Sequence, residues 1–138
     1  MVTSTSELMS KFDRSDPFRG VFASDDLPKR SLQPGEAIIF NLDKSSGPGT
    51  HWTCAINKNG RIIYIDPLGV DAPKSIARYL KNYVYNDTMY QPLRSQSCGK
   101  YCIYFIENFY KKKPFHKGLD AFPSKKNDTI VTKFFSSI

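Results

Sequence analysis

A histidine, a carboxylate and a cysteine, in that order, are the working parts of nucleophilic acyl transfer. This chain carries them as His51, Asp66 and Cys98. Cys98 stands directly before Gly99, at the threshold of "CGKYCIYFIENFYK", a run apolar on nearly every side. A cysteine that only fills a core does not need that place. At the N-terminus of a buried helix, the dipole and the unpaired N–H groups of the first turn favour a thiolate. The same region, with the Cys98 N–H, can hold a developing oxyanion. Gly99, having no Cβ, lets a substrate backbone come close. Such a nucleophile also needs a base to take its proton and a third group to orient that base. Without those partners Cys98 would be a small buried hydrophobe.

The partners follow from a hairpin. "HWTCAIN" and "RIIYID" read as strands joined at Lys58-Asn59-Gly60-Arg61, and Asn-Gly is the strongest short hairpin signal because both turn residues take positive φ. A two-residue turn there pairs Lys58 with Arg61, Ile56 with Ile63, Cys54 with Ile65 and Thr53 with Asp66. Side chains alternate between faces, and opposed residues share one. Trp52, Cys54, Ile56, Ile63 and Ile65 then form a wholly apolar face, which must be core. His51, Thr53, Ala55, Tyr64 and Asp66 form the other. His51 and Asp66 are diagonal neighbours on it, with Cα atoms roughly 7–8 Å apart, close enough for an imidazole–carboxylate hydrogen bond. Alone, such a pair is as readily an accident of the surface as a device. With Cys98 it completes a triad.

The remaining elements must position these groups. "STSELMSKF" reads as a short helix with the Ser4/Glu7 spacing of a capping box. "DPFRGVFASDDLPKRSLQPGE" is rich in Pro and Gly and reads as an ordered loop. "EAIIFNLD" (36–43) reads as a strand and "SSGPG" (45–49) as a loop. "APKSIARYLKNYVY" (72–85) places Ile76, Leu80, Tyr83 and Val84 at helical spacing. "TMYQPL" (88–93) reads as extended, the run from Cys98 to about Lys112 as the main helix, and "NDTIVTKFFSSI" as a last helix capped by Asn127 or Asp128. The class is α+β, an antiparallel sheet with a central buried helix that carries the nucleophile.

With 138 residues, 40% hydrophobic and 14% aromatic, the chain is one domain, residues 1–138, with a real core. No apolar stretch is long enough to cross a bilayer, and the N-terminus has no secretory pattern. Three cysteines without an export signal imply a reducing compartment, with Cys54 and Cys102 structural. No set of ligands has metal spacing, so neither zinc nor another cofactor is expected. His116 reads as a surface residue. The formal charge of +7 favours an anionic partner, double-stranded DNA first, with Lys111, Lys112, Lys113 and Lys117 of "YKKKPFHK" and Lys125 and Lys126 of "PSKKND" as contacts.

The ordered set "HW", "YIDPLG" and "QPLRSQSCGKYC" resembles the adenovirus-type maturation cysteine proteases, and more broadly the clan that holds the SUMO-specific proteases. The matching stretch runs from about Glu36 to Phe109, over half the chain. The short "YIDPLG" form looks most like the proteases of virophages and Polinton-type elements. The resemblance implies a papain-like fold of the adenovirus/SUMO-protease type, with Cys98 as nucleophile, His51 as general base and Asp66 as third member. Asp66 stands where adenovirus enzymes use Glu, a modest departure. Gln91, seven residues before Cys98, takes the oxyanion role, and Gln96 reads as loop. Trp52 and Gly99 are expected at the substrate.

By that resemblance the protein is a monomer that cleaves viral capsid or core precursors in the virion and in the infected cell, in its cytoplasm or viral factory. DNA or a peptide can serve such enzymes as activator. Other readings are a SUMO- or ubiquitin-like deconjugating protease, an effector acetyltransferase sharing the His-acid-Cys order, and an inactive protease fold that packages nucleic acid. For the two enzymes the chain is short.

Overall fold

The computed structural model describes residues 4–12, 17–42 and 51–138. Along the chain come α1 (Thr5–Ser10), β1 (Phe18–Ala23), β2 (Ala37–Asn41), β3 (Trp52–Lys58), β4 (Arg61–Ile65), α2 (Lys74–Leu80), β5 (Tyr83–Tyr85), α3 (Cys98–Tyr110) and α4 (Lys125–Ser137). Ser4 and Glu7 form the capping box of α1. The "SSGPG" stretch and Asp43 lie outside the described residues.

The central hairpin has the expected register, with Lys58 opposite Arg61, Ile56 opposite Ile63 and Cys54 opposite Ile65. Its turn residues Asn59 and Gly60 have φ of 55° and 94°, which is why Asn-Gly is needed there. The strands form one sheet in the order β1-β2-β3-β4-β5. The sheet is mixed rather than antiparallel, because β1 runs parallel to β2 and β5 parallel to β4. Both edge strands differ from the sequence expectation. β1 forms in the segment read as a loop: Phe18, Val21 and Phe22 pair along β2, and the register shifts between Phe18 and Val21. β5 takes Tyr83 and Val84 out of the expected helix. Lys81 reverses the chain at φ 66° directly after Leu80, so Ile76 and Leu80 alone of that stripe lie on α2.

Two apolar layers sandwich the sheet. On one face α3 packs Cys102, Phe105 and Ile106 against Trp52, Cys54, Ile56 and Ile65, with Val131 and Phe135 of α4 in the same cluster. On the other, Ile76 and Leu80 cover Ile38, Phe40, Ala55 and Tyr64. Buried residues on every side of α3, among them Tyr101, Cys102, Ile103, Phe105 and Ile106, explain its lack of a polar stripe. α4 begins earlier than expected. Its cap is Ser124, whose hydroxyl accepts from the Asn127 N–H at 3.1 Å, in place of Asn127 or Asp128. Residues 86–91 form no strand.

Candidate active site

The ends of three elements meet at one point. His51 directly precedes β3, Asp66 directly follows β4, and Cys98 opens α3. Strand pairing fixes the first two relative to each other, and the packing of α3 on β3 brings in the third. His51 Nε2–H donates to Asp66 Oδ1 at 2.9 Å. The other ring nitrogen, Nδ1, is left for the Cys98 thiol, to which the His51 ring is also hydrogen-bonded. The Trp52 backbone N–H donates to Cys98 Sγ at 3.4 Å.

Asp66 is 2% exposed. A carboxylate so buried needs donors, and Oδ1 accepts from the Leu68 N–H at 2.8 Å as well as from His51. Burial alone would lower the proton affinity of His51. The bonds to Asp66 and Cys98, with their negative charge, outweigh burial and raise its pKa to about 9. The imidazolium is therefore the favoured form at neutral pH, with an acceptor at each end. Cys102, one turn along α3, is fully buried, and burial beside Cys54 pushes its thiol well up, out of the reactive range.

The oxyanion candidates are close at hand. Ser97 caps α3 without a side-chain hydrogen bond, so no side chain of the cap competes for the first-turn N–H groups. Gln91 is 2% exposed, and its Nε2 donates to the Ser95 carbonyl at 2.8 Å, on the loop that leads into Cys98. An amide nitrogen carries two protons, and that bond uses one of them. Gln96 is exposed. Gly99 is buried in the first turn of α3. The Trp52 ring, expected at the substrate, lies in the core. The indole is 1% exposed, within the core beneath α3, because position 52 points to the apolar face of the hairpin. Its contribution to the site is the backbone N–H.

The candidate DNA contacts Lys111, Lys112, Lys113, Lys117, Lys125 and Lys126 are all exposed. Lys126 pairs with Asp120 at 3.4 Å, and Lys111 lies over the Phe134 ring. Lys112 and Lys113 line a cleft of about 520 Å³ with Lys58, Asn59 and Phe109. That cleft is at the turn end of the hairpin, opposite the triad. His116 is exposed, and its ring stacks near Tyr90. Among the described residues no cluster of His, Cys, Asp or Glu could hold a metal ion, and no helix is long and apolar enough to cross a membrane.

Sequence reasoning missed Asn86. Its side-chain amide accepts from the Asp66 N–H at 2.9 Å and donates to the Asp66 carbonyl at 2.6 Å. No sequence signal marks it beyond an Asn that ends "YVY".

No family model matches the chain. Against known proteins, the chain is 34% identical over 96 residues to R355 of Acanthamoeba polyphaga mimivirus, a protein assigned as a thiol protease; the match covers 57% of this chain and 31% of that protein. The chain thus spans about a third of the length of the curated relative it matches, at 31%. The crystal structure of the ASFV pS273R protease superposes on 99% of this chain and 57% of its own, with a TM-score of 0.55 and 18% identity. The chain shares the fold of the ASFV pS273R protease. Within that fold the mixed sheet, the buried helix and the two strands that end at His51 and Asp66 form the core described above.

Proposed function

We propose that the chain is a cysteine endopeptidase that processes viral capsid or core precursor proteins during virion maturation, in the virion and the infected cell. One observation carries the reading: His51 bonds at once to the carboxylate of Asp66 and to the thiol of Cys98, at the first residue of a buried helix.

The chemistry follows from that arrangement. Cys98 Sγ, having given its proton to His51, attacks the scissile carbonyl carbon. The carbonyl π pair moves onto oxygen, and the oxyanion is met by the Cys98 N–H and the Gln91 amide. Collapse breaks the C–N bond. The imidazolium proton of His51 goes to the leaving amine, and a thioester to Cys98 remains. Water then attacks the thioester and loses a proton to His51. Collapse of the second tetrahedral intermediate breaks the C–S bond, and its electron pair returns to Cys98 Sγ. The acid product leaves, and the proton on His51 is again shared with that sulfur. Asp66 holds the ring and stabilises its cationic form throughout. The resemblance to virophage and Polinton-type proteases, with the mimivirus relative, supports a viral precursor as substrate.

Activation by DNA or a peptide belongs to the same proposal. The charge of +7 supports a contact with duplex DNA, and Lys112 and Lys113, beside Lys58, are its best candidates among the lysines named. The test is incubation of wild type and Cys98→Ala with candidate capsid precursors, followed by mapping of new N-termini. Termini generated by wild type alone support the reading. Identical termini from both proteins, or none from wild type with and without DNA, contradict it.

A further inference from the structure

The triad carboxylate belongs to a residue just past the last rung of a strand, where a chain end ordinarily frays. The β4–β5 ladder stops at Tyr64 opposite Tyr85. Beyond it, the Asp66 N–H donates to Asn86 Oδ1 at 2.9 Å, and Asn86 Nδ2 donates to the Asp66 carbonyl at 2.6 Å. One side-chain amide thus takes both main-chain groups of Asp66, as a continued strand would have done. Its second Nδ2 proton goes to the Thr88 carbonyl at 2.9 Å. The Asn86 N–H donates to the Tyr64 carbonyl at 3.3 Å. At 8% exposure, Asn86 has little water to substitute for these bonds.

The same contact continues to the oxyanion side. The Pro67 carbonyl accepts from the N–H groups of Tyr90 and Gln91 at 2.9 and 3.0 Å. Gly69, at φ 75°, closes the turn with its N–H on the Asp66 carbonyl at 2.8 Å. A Cβ there would stand 2.9 Å from the Thr88 carbonyl carbon, so the two backbones touch. From the far side, Asn127 Nδ2 donates to the Tyr90 carbonyl at 3.1 Å and pins the peptide that precedes Gln91.

We infer that Asn86 is a positioning residue: by replacing the missing rung at Asp66 it docks residues 86–91 on the 66–69 turn, and so aims the triad carboxylate and anchors the Gln91 backbone together. This rests on the proposed reading of the site, yet it is a claim about the geometry of Asp66. Asn86 has no bond to the side chains of His51, Cys98 or Gln91, so it acts through Asp66. Aspartate in its place could accept but not donate, and alanine can do neither.

The test reads His51 directly, without turnover. The chain has two histidines, and exposed His116 serves as internal reference. The charged groups that act on the His51 ring are Asp66, from the end of β4, and Cys98, from the start of α3. Titration of the ring by NMR is compared in wild type, Asp66→Asn and Asn86→Ala. With Asn86→Ala folded, the His51 midpoint falls by about one unit or more toward that of Asp66→Asn, because the carboxylate no longer holds its aim. A folded Asn86→Ala with the wild-type midpoint overturns the inference and leaves Asn86 a purely structural residue. Where Asn86→Ala does not fold, Gly69→Ala makes the same comparison, since it pushes the same segment off the turn. A wild-type midpoint in that variant again overturns it. A wild type that titrates as expected but cleaves nothing counts against the proposed protease activity and not against Asn86.

Discussion

The two bonds that fit His51 for the proposed role of base also bear on stability. Its pKa is raised from 6.5 to about 9 in the folded chain, so the native state holds this proton more tightly than the unfolded one. The stabilisation is complete below about pH 6.5 and is lost as pH climbs through about 9, on the order of 3 kcal/mol across that window. Thermal melts should therefore show wild-type stability falling between pH 6.5 and 9.5, with a flatter profile for His51→Ala; equal slopes for both would remove the linkage. Gln91 and Gln96 separate on exposure alone, one buried against the Ser95 carbonyl and the other exposed. Loss of an oxyanion donor costs about 10²–10³ in kcat. Gln91→Ala should lose about that factor with KM little changed, and Gln96→Ala far less. Kinetics that reverse this order would take the oxyanion role from Gln91. The His51–Asp66 contact was legible in the sequence because turn and pleat geometry alone bring the two residues together. Asn86 was not, because its role exists only where β5 ends, and Lys81 at positive φ decides that without a residue signal. The Trp52 ring was misplaced for a plainer reason. Alternation along β3 puts position 52 on the apolar face, and the resemblance that set Trp52 at the substrate carries no information about that face.

The hairpin and α3 are the elements whose patterns sequence carries most strongly. Asn-Gly sets the register, period-2 alternation sets the faces, and an all-round apolar run sets a buried helix. The edge strands carry weaker patterns. β1 is half-buried throughout and contains a glycine at φ 118°, so its composition resembles a turn-rich loop. β5 has only three residues, Tyr83–Tyr85, and an apolar spacing that a helix would share. α3 must be held rigidly for its first residue to meet His51. Ile106 is fully buried on the face toward the sheet, at a distance along the helix from the nucleophile. Ile106→Ala should cost about 2–5 kcal/mol in denaturant unfolding. Below its melting temperature the variant should retain much of its activity, since no triad bond is altered. A loss below about 1 kcal/mol would mean that α3 is less tightly packed than its burial indicates.

As a whole, the molecule sets the proposed triad at the open end of one hairpin and a lysine-lined cleft at its turn. Its charge of +7 should give duplex-DNA binding without sequence preference, with log K falling as log salt rises. Replacing Lys112 and Lys113 together with Gln should make that slope shallower by about two units if each meets a phosphate. An unchanged slope by fluorescence anisotropy would place the contact elsewhere, and no binding at low salt would leave the charge without that role. The central claim remains the chemistry at Cys98, and selective alkylation tests it most directly. None of the three cysteines is in a disulfide and all are buried, so exposure does not distinguish them. Native protein is treated with limiting iodoacetamide at pH 6 and the modified cysteine is located by mass spectrometry. The account predicts modification at Cys98, with Cys54 and Cys102 unmodified, and loss of that selectivity in His51→Ala. Equal modification of the three cysteines, or Cys98 labelling that is unchanged in His51→Ala, would contradict it.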